Sequence, residues 1–194
     1  MAWIGRLDGL KNWGEFLRIG GLLLKDGRDV EFWIVGNAPR FGPAADLLRR
    51  AKRAGVMARL KWLPSVPHSV MPRLLDAVRE SGGVLVSTSR GESFGMTVAE
   101  AMARHCPVVV PALGPFPEYV RDGENGLCYR PGSVREAAHC VEVLLSDAAL
   151  RRRLGENARR DILALCGPEH ALAILARELA VAAQPPAGPL GPSG

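Results

Sequence analysis

The chain of 194 residues holds four cysteines, and none forms a Cys-x-x-Cys pair or lies beside a cluster of histidines. Cys106, Cys128, Cys140 and Cys166 therefore match neither a zinc site nor a disulfide framework, and they suit a reducing, cytoplasmic setting. No metal is expected. No apolar run approaches the length needed to cross a bilayer, and Met1 to Trp3 runs into a Gly-Arg turn instead of a signal-peptide pattern. A soluble protein is expected, with peripheral contact at a membrane surface left open. No Gly-x-Gly-x-x-Gly follows the first strand-like run and there is no Walker A loop. These absences argue against an ordinary dehydrogenase or P-loop enzyme.

What is present has the balance of a folded domain: 47% hydrophobic and 23% charged residues, in a chain long enough to bury a core without staples. The formal charge of +5 points to an anionic partner, whether nucleic acid, an anionic membrane face or a phosphorylated ligand. The basic residues form no single long stripe. The densest group, Arg151 to Arg153 with Arg159 and Arg160, has helical spacing and reads as a solvated face, so nucleic acid is not expected as a partner.

Short apolar runs alternate with longer stretches of helical periodicity, the pattern of parallel strands joined by crossover helices. Strands are expected over residues 2–5, 30–36, 59–63, 83–88, 108–111 and 127–130. Helices are expected over 12–25, 42–54, 66–79, 95–104, near Glu118, and over 134–145, 148–165 and 168–183. Asn12 followed by Glu15 reads as a helix start in which each side chain meets free backbone donors. Leu144, Leu145, Leu150 and Leu154 read as core, as do Trp3, Trp13, Trp33 and Trp62. His68, His105, His139 and His170 share no motif and read as structural or surface residues. The Pro/Gly-rich residues 184–194 are expected to be a disordered tail. The fold class is α/β, a Rossmann-like doubly wound and mostly parallel sheet in one domain over residues 1–183. Ligands in such sheets bind beyond the carboxyl ends of the strands.

The segment 89–103, SRGESFGMTVAEAMA, leaves a buried strand, turns at Gly91 and Gly95 and enters a helix. A phosphate at that helix start would meet free amides of Gly95, Met96 and Thr97 and the positive end of the helix dipole. Glu100 would offer two acceptor oxygens to neighbouring ribose hydroxyls. Glu92 and Glu100, with seven residues between them, are by themselves also what a capped helix with surface glutamates would show.

Other stretches accompany the pair in order: Gly5-Arg6-Leu7 with Lys11, Ile34-Val35-Gly36, Trp62-Leu63 with Val66, Pro107-Val108-Val109, Pro117-Glu118 ahead of Asp122-Gly123-x-x-Gly126-Leu127, and the Arg152 to Arg160 helix. Together, from about Ile4 to Leu165, they resemble the retaining glycosyltransferases of the GT-B fold, glycosyltransferase group 1. The resemblance implies the nucleotide-sugar-binding C-terminal half of such an enzyme, which moves a hexose from a nucleotide diphosphate sugar to an acceptor. It implies that Arg6 and Lys11 neutralise the donor diphosphate and that Glu92 lies near the donor sugar, these three carrying the chemistry. It implies that Ser93, Phe94, Gly95, Met96 and Thr97 contact the phosphates, Glu100 the ribose and Val66 the base. Glu118 could reach the donor or only order its own loop.

The chain departs from the family pattern at several points. His105 stands where the family has a glycine, at a position that often needs a left-handed backbone. Gly114-Pro115 replaces a glycine pair, Gly36-Asn37-Ala38-Pro39 replaces Gly-x-Gly-Pro, and Pro64 replaces a glycine. The resemblance also implies that the acceptor-binding half is absent from this chain, which would then be inactive without such a domain or a partner subunit. The alternative readings are a stand-alone nucleotide or nucleotide-sugar binding module without transfer activity, and a truncated, inactive reading frame.

Overall fold

A computed structural model describes residues 1–37 and 43–167. The helix expected over 168–183, the tail over 184–194 and the Ala38-Pro39 turn lie outside the described residues.

Among the described residues six parallel strands form one sheet in the order β3-β2-β1-β4-β5-β6. They are β1 (Ala2–Ile4), β2 (Phe32–Val35), β3 (Leu60–Leu63), β4 (Leu85–Val86), β5 (Val108–Pro111) and β6 (Leu127–Tyr129). The helices are α1 (Trp13–Lys25), α2 (Pro43–Ala54), α3 (Met71–Glu80), α4 (Met96–Ala103), α5 (Phe116–Tyr119), α6 (Val134–Ser146) and α7 (Ala148–Cys166). This is the doubly wound Rossmann-like arrangement that the alternation of patterns implies.

Strand side chains alternate between two cores because successive Cβ atoms point to opposite faces. Trp3, Phe32, Ile34, Val86, Val109 and Tyr129 pack with apolar residues of α1, α2 and α6. Ala2, Val35, Leu85, Val108 and Val110 pack on the other face with α3, α4 and α7. Helix α7 belongs to both, with Leu154 in the first core and Ala158 and Ile162 in the second. Leu144 and Leu154 are buried, and Leu145 and Leu150 are partly buried against them.

Several boundaries are shorter than the residue pattern implies. The run 83–88 contributes only two residues to β4, Leu85 and Val86, which pair with β5, while β1 pairs with it at a single position, Ala2 against Leu85. The helix expected to begin at Val66 begins at Met71, after a 3-10 turn over His68–Val70. Pro67 has no amide to donate and sits in an extended conformation, so the chain tightens before the α-helix begins.

The helix start at Asn12 differs from the expected reciprocal cap. Asn12 is left-handed, at φ 51°, and its side chain bonds no backbone amide of the helix. Its amide donates instead to the Glu15 carboxylate at 2.9 Å. Glu15 is buried, and a buried carboxylate needs donors more than an open helix end does. His105 does adopt a left-handed backbone, at φ 56°. Helix α7 packs against that turn so closely that a Cβ on Gly155 would lie 2.3 Å from the His105 carbonyl oxygen.

Candidate functional site

Strands β1 and β4 are sequence-distant neighbours whose following helices go to opposite faces, so the sheet opens between their carboxyl ends. A cavity of about 290 Å³ lies there. Its walls include Trp3 and Ile4 from β1, Lys11 from the β1–α1 loop, Leu85 to Ser87 from β4, and Glu92 to Val98 from the β4–α4 turn. In an open α/β sheet this switch point is where a ligand is expected.

The tip of α4 is built to leave backbone donors free. Gly95 is left-handed, at φ 84°, and has no side chain with which to cap the helix. The amides of Val98 and Ala99 both bond the Gly95 carbonyl, and among the described residues the amides of Gly95, Met96 and Thr97 have no acceptor. A Cβ at position 95 would fall 2.5 Å from the Phe116 ring and 2.9 Å from the Tyr119 hydroxyl oxygen. Tyr119 holds the turn from behind. Its hydroxyl donates to the Phe94 carbonyl at 2.7 Å, and its ring stacks on Phe94 with centroids 5.1 Å apart. Burial and the nearby Glu92 carboxylate push the Tyr119 hydroxyl well above the usual phenol range, so it stays a donor.

Lys11 and Glu92 meet across the cavity at 2.5 Å, and the Ser89 hydroxyl donates to the same carboxylate oxygen at 2.7 Å. The loop that carries Lys11 is tied down from below. Asp8 accepts from the Lys11 amide at 2.8 Å. The buried Thr88 hydroxyl accepts from the Trp3 indole at 2.9 Å and lies 3.1 Å from the carbonyl oxygens of both Lys11 and Asn12. The buried Glu15 receives Asn12 and the Tyr129 hydroxyl, the latter at 3.2 Å, while Tyr129 also lies 2.9 Å from the Ser87 carbonyl oxygen. This polar layer joins β1, α1, the residues just after β4 and β6 beneath one cation. Burial and the adjacent Glu15 keep the Tyr129 hydroxyl protonated far above neutrality.

The structure thus gathers Lys11, Glu92 and Ser93 to Thr97 in one cavity. Arg6, Val66 and Glu100 are not in its lining. Arg6 follows β1 at the same carboxyl edge; its side chain is 75% exposed and rests on Asp8 at 3.1 Å. Val66 is partly buried against the α3–α4 core. Glu100 lies one turn along α4, half-buried, with its Oε1 4.0 Å from His68 Nε2. Glu118 is exposed on α5. The residue pattern does not single out Thr88, Tyr119 or Tyr129, because each acts through partners that are remote in sequence, and it marks Glu15 only as part of a helix start. Among the described residues no three His, Cys, Asp or Glu side chains cluster so as to hold a metal ion. None of the described helices is long and apolar enough to cross a membrane.

A family model described as glycosyl transferases group 1 matches residues 1–161. Among curated proteins, the chain is 28% identical over 158 residues to an alpha-D-kanosaminyltransferase of Streptomyces kanamyceticus, covering 81% of this chain and 39% of that protein. It is 32% identical over 163 residues to a D-inositol 3-phosphate glycosyltransferase of Nocardia farcinica, covering 81% of this chain and 35% of the relative. The chain therefore spans less than half the length of these relatives. Among solved structures it resembles the C-terminal domain of a glycosyl transferase group 1 family protein from Francisella tularensis, with TM-score 0.73, 26% identity, and coverage of 85% of this chain and 84% of that one. Anabaena HepE, solved in complex with UDP, shares the fold with TM-score 0.78 at 24% identity, over 93% of this chain and 48% of its own.

Proposed function

The chain belongs to the glycosyl transferases group 1 family, and from that premise we propose that it binds the donor nucleotide diphosphate sugar of a retaining hexosyl transfer. The acceptor would be held by another domain or a partner subunit. The observation that carries this reading is the meeting of Lys11 with the uncapped tip of α4 in one cavity at the sheet's switch point.

Breaking the bond between sugar and diphosphate leaves negative charge on the departing phosphate, and preorganised donors aimed at that charge stabilise the transition state. In this reading the amides of Gly95, Met96 and Thr97 receive one phosphate. Lys11 moves from Glu92 onto the diphosphate, and the exposed Arg6 exchanges Asp8 for the same group. The forked guanidinium and the mobile ammonium suit a diphosphate from two directions. Ser93 and Phe94 complete the phosphate turn. Glu92, released from Lys11, faces the donor sugar, Glu100 receives the ribose hydroxyls, and Val66 lies by the base. With the leaving phosphate so stabilised, the acceptor can attack on the face the phosphate leaves, which retains the anomeric configuration. That HepE is solved with UDP supports UDP as the first nucleotide to try.

Calorimetry of the 194-residue chain with UDP and with uridine tests the assignment. Arg6→Ala should weaken UDP and leave uridine unchanged, while Glu100→Ala should weaken both by about 1–3 kcal/mol, the scale of lost charge-assisted hydrogen bonds. Equal losses for the two ligands in Arg6→Ala remove the diphosphate role. Unchanged affinity in Glu100→Ala removes the ribose role.

A further inference from the structure

A second concavity, of about 450 Å³, opens between the start of α1 and the last turns of α2. Among the described residues, four of those that line it are arginines, Arg18, Arg50, Arg53 and Arg90, and none is acidic. Most arginines elsewhere that pair do so directly with a carboxylate, as Arg59 does with Asp29 and Arg121 with Asp161. Among the described residues Arg53 and Arg90 form no ion pair, and Arg18 reaches only the buried Glu15, at 3.6 Å. Arg50 bonds Asp46 at 2.8 Å and lies 4.9 Å over the Trp13 ring. Gly14 makes room for it, since a Cβ there would lie 3.0 Å from an Arg50 terminal nitrogen. The groove also receives the start of helix α1, whose first turn carries the Glu15 carboxylate, so the charge left unbalanced in the groove is that of Arg53 and Arg90. Like charges gathered in a concavity repel unless an anion joins them.

We propose that this groove is a second anion site, distinct from the cavity at the tip of α4, and that it takes a phosphate group. Guanidinium forks match the paired oxygens of a phosphate, and the volume admits a phosphate with a substituent. The two sites share a wall. Lys11 lines the cavity and Asn12 lines the groove, while the Arg90 amide donates to the Leu10 carbonyl at 2.8 Å. An anion bound here grips the back of the loop that presents Lys11.

The test titrates inorganic phosphate by calorimetry into the 194-residue chain carrying Lys11→Ala, which removes the cation of the first cavity. Saturable binding at one site per chain is expected. Adding Arg53→Gln and Arg90→Gln should weaken it at least about tenfold with no change in Tm, because both side chains are exposed. Loss of phosphate binding on Lys11→Ala alone, or indifference to the arginine substitutions, overturns the site. Sedimentation with phosphatidylcholine vesicles containing phosphatidic acid separates the sources. Co-sedimentation that requires Arg53 and Arg90 identifies a lipid phosphate, and phosphate binding without it identifies a soluble one. Neither result leaves no site.

Discussion

The Lys11 ammonium lies 2.5 Å from the Glu92 carboxylate, although 81 residues separate them in the chain. With Lys11 24% exposed and Glu92 13%, the pair is only partly screened by water. The cation proposed for the diphosphate is thus already neutralised by the carboxylate proposed for the sugar.

Removing that carboxylate's charge should therefore favour an anionic ligand. Glu92→Gln keeps an oxygen for the Ser89 hydroxyl, and UDP should bind it more tightly than the parent chain by about 1 kcal/mol, the upper range for a partly screened pair. Lys11→Ala should weaken UDP binding. Calorimetry reads both, and weaker binding by Glu92→Gln would show that the carboxylate steers Lys11 toward the phosphate instead of competing with it.

Gly95→Ala should be damaging on two counts. It places a Cβ 2.5 Å from the Phe116 ring and holds an L-residue at φ 84°. Overpacking plus left-handed strain amounts to about 2–4 kcal/mol. Urea denaturation should show that loss, with UDP binding weakened as the tip of α4 shifts. Native stability in this variant would mean the turn can relax freely.

Tyr129→Phe should cost about 1–3 kcal/mol, since it strips the buried Glu15 carboxylate of a donor and leaves the Ser87 carbonyl oxygen without its hydroxyl partner. The loop carrying Lys11 shares this network through Asn12, so UDP affinity should fall although position 129 does not line the cavity. A variant with normal UDP affinity would confine the network to stability.

His105 makes stability depend on pH. Burial first, then the Arg159 and Arg79 charges, hold its imidazole below the ordinary value of 6.5. The unfolded chain binds that proton more readily than the folded one, so this contribution is complete above about pH 6.5 and is lost as pH falls from there toward the folded value. His105→Gly relieves the left-handed strain at φ 56° and should raise stability at pH 7 by about 0.5–1 kcal/mol. Melting curves from pH 7.5 to 5 should also show a shallower decline for the variant. Parallel declines would assign the acid sensitivity elsewhere.

The thiols should divide by burial. Desolvation pushes Cys106 and Cys128 up to about 12 and Cys140 up to about 11, which leaves almost no thiolate at neutral pH. Cys166 is exposed. A disulfide reagent at pH 7.5 should modify Cys166 quickly and the other three only on unfolding; rapid reaction at two or more thiols would contradict this.

The fold was legible because it rests on local periodicity. Runs such as Val108–Pro111 are apolar throughout, as buried parallel strands must be, and α1 repeats its core residues at helical spacing. The turn at Gly95 that opens α4 was legible for the same reason, since strand, turn and helix start are contiguous. The left-handed turn at His105 could likewise be expected from its place after a helix. The geometry at Asn12 departs from the residue pattern because Glu15 is drawn to Tyr129, 114 residues away.

The residues alone determined the alternation of strands and helices, hence the sheet, its two cores and the edge at which a ligand would be sought, because burial and backbone pairing follow the spacing of apolar side chains. Only the tertiary structure decided that Lys11 closes on Glu92, that Arg6 and Glu100 stand outside the cavity lining, and that four arginines from three separate segments surround one groove. Charges act through distance and dielectric, and neither is set until strands from distant parts of the chain lie side by side.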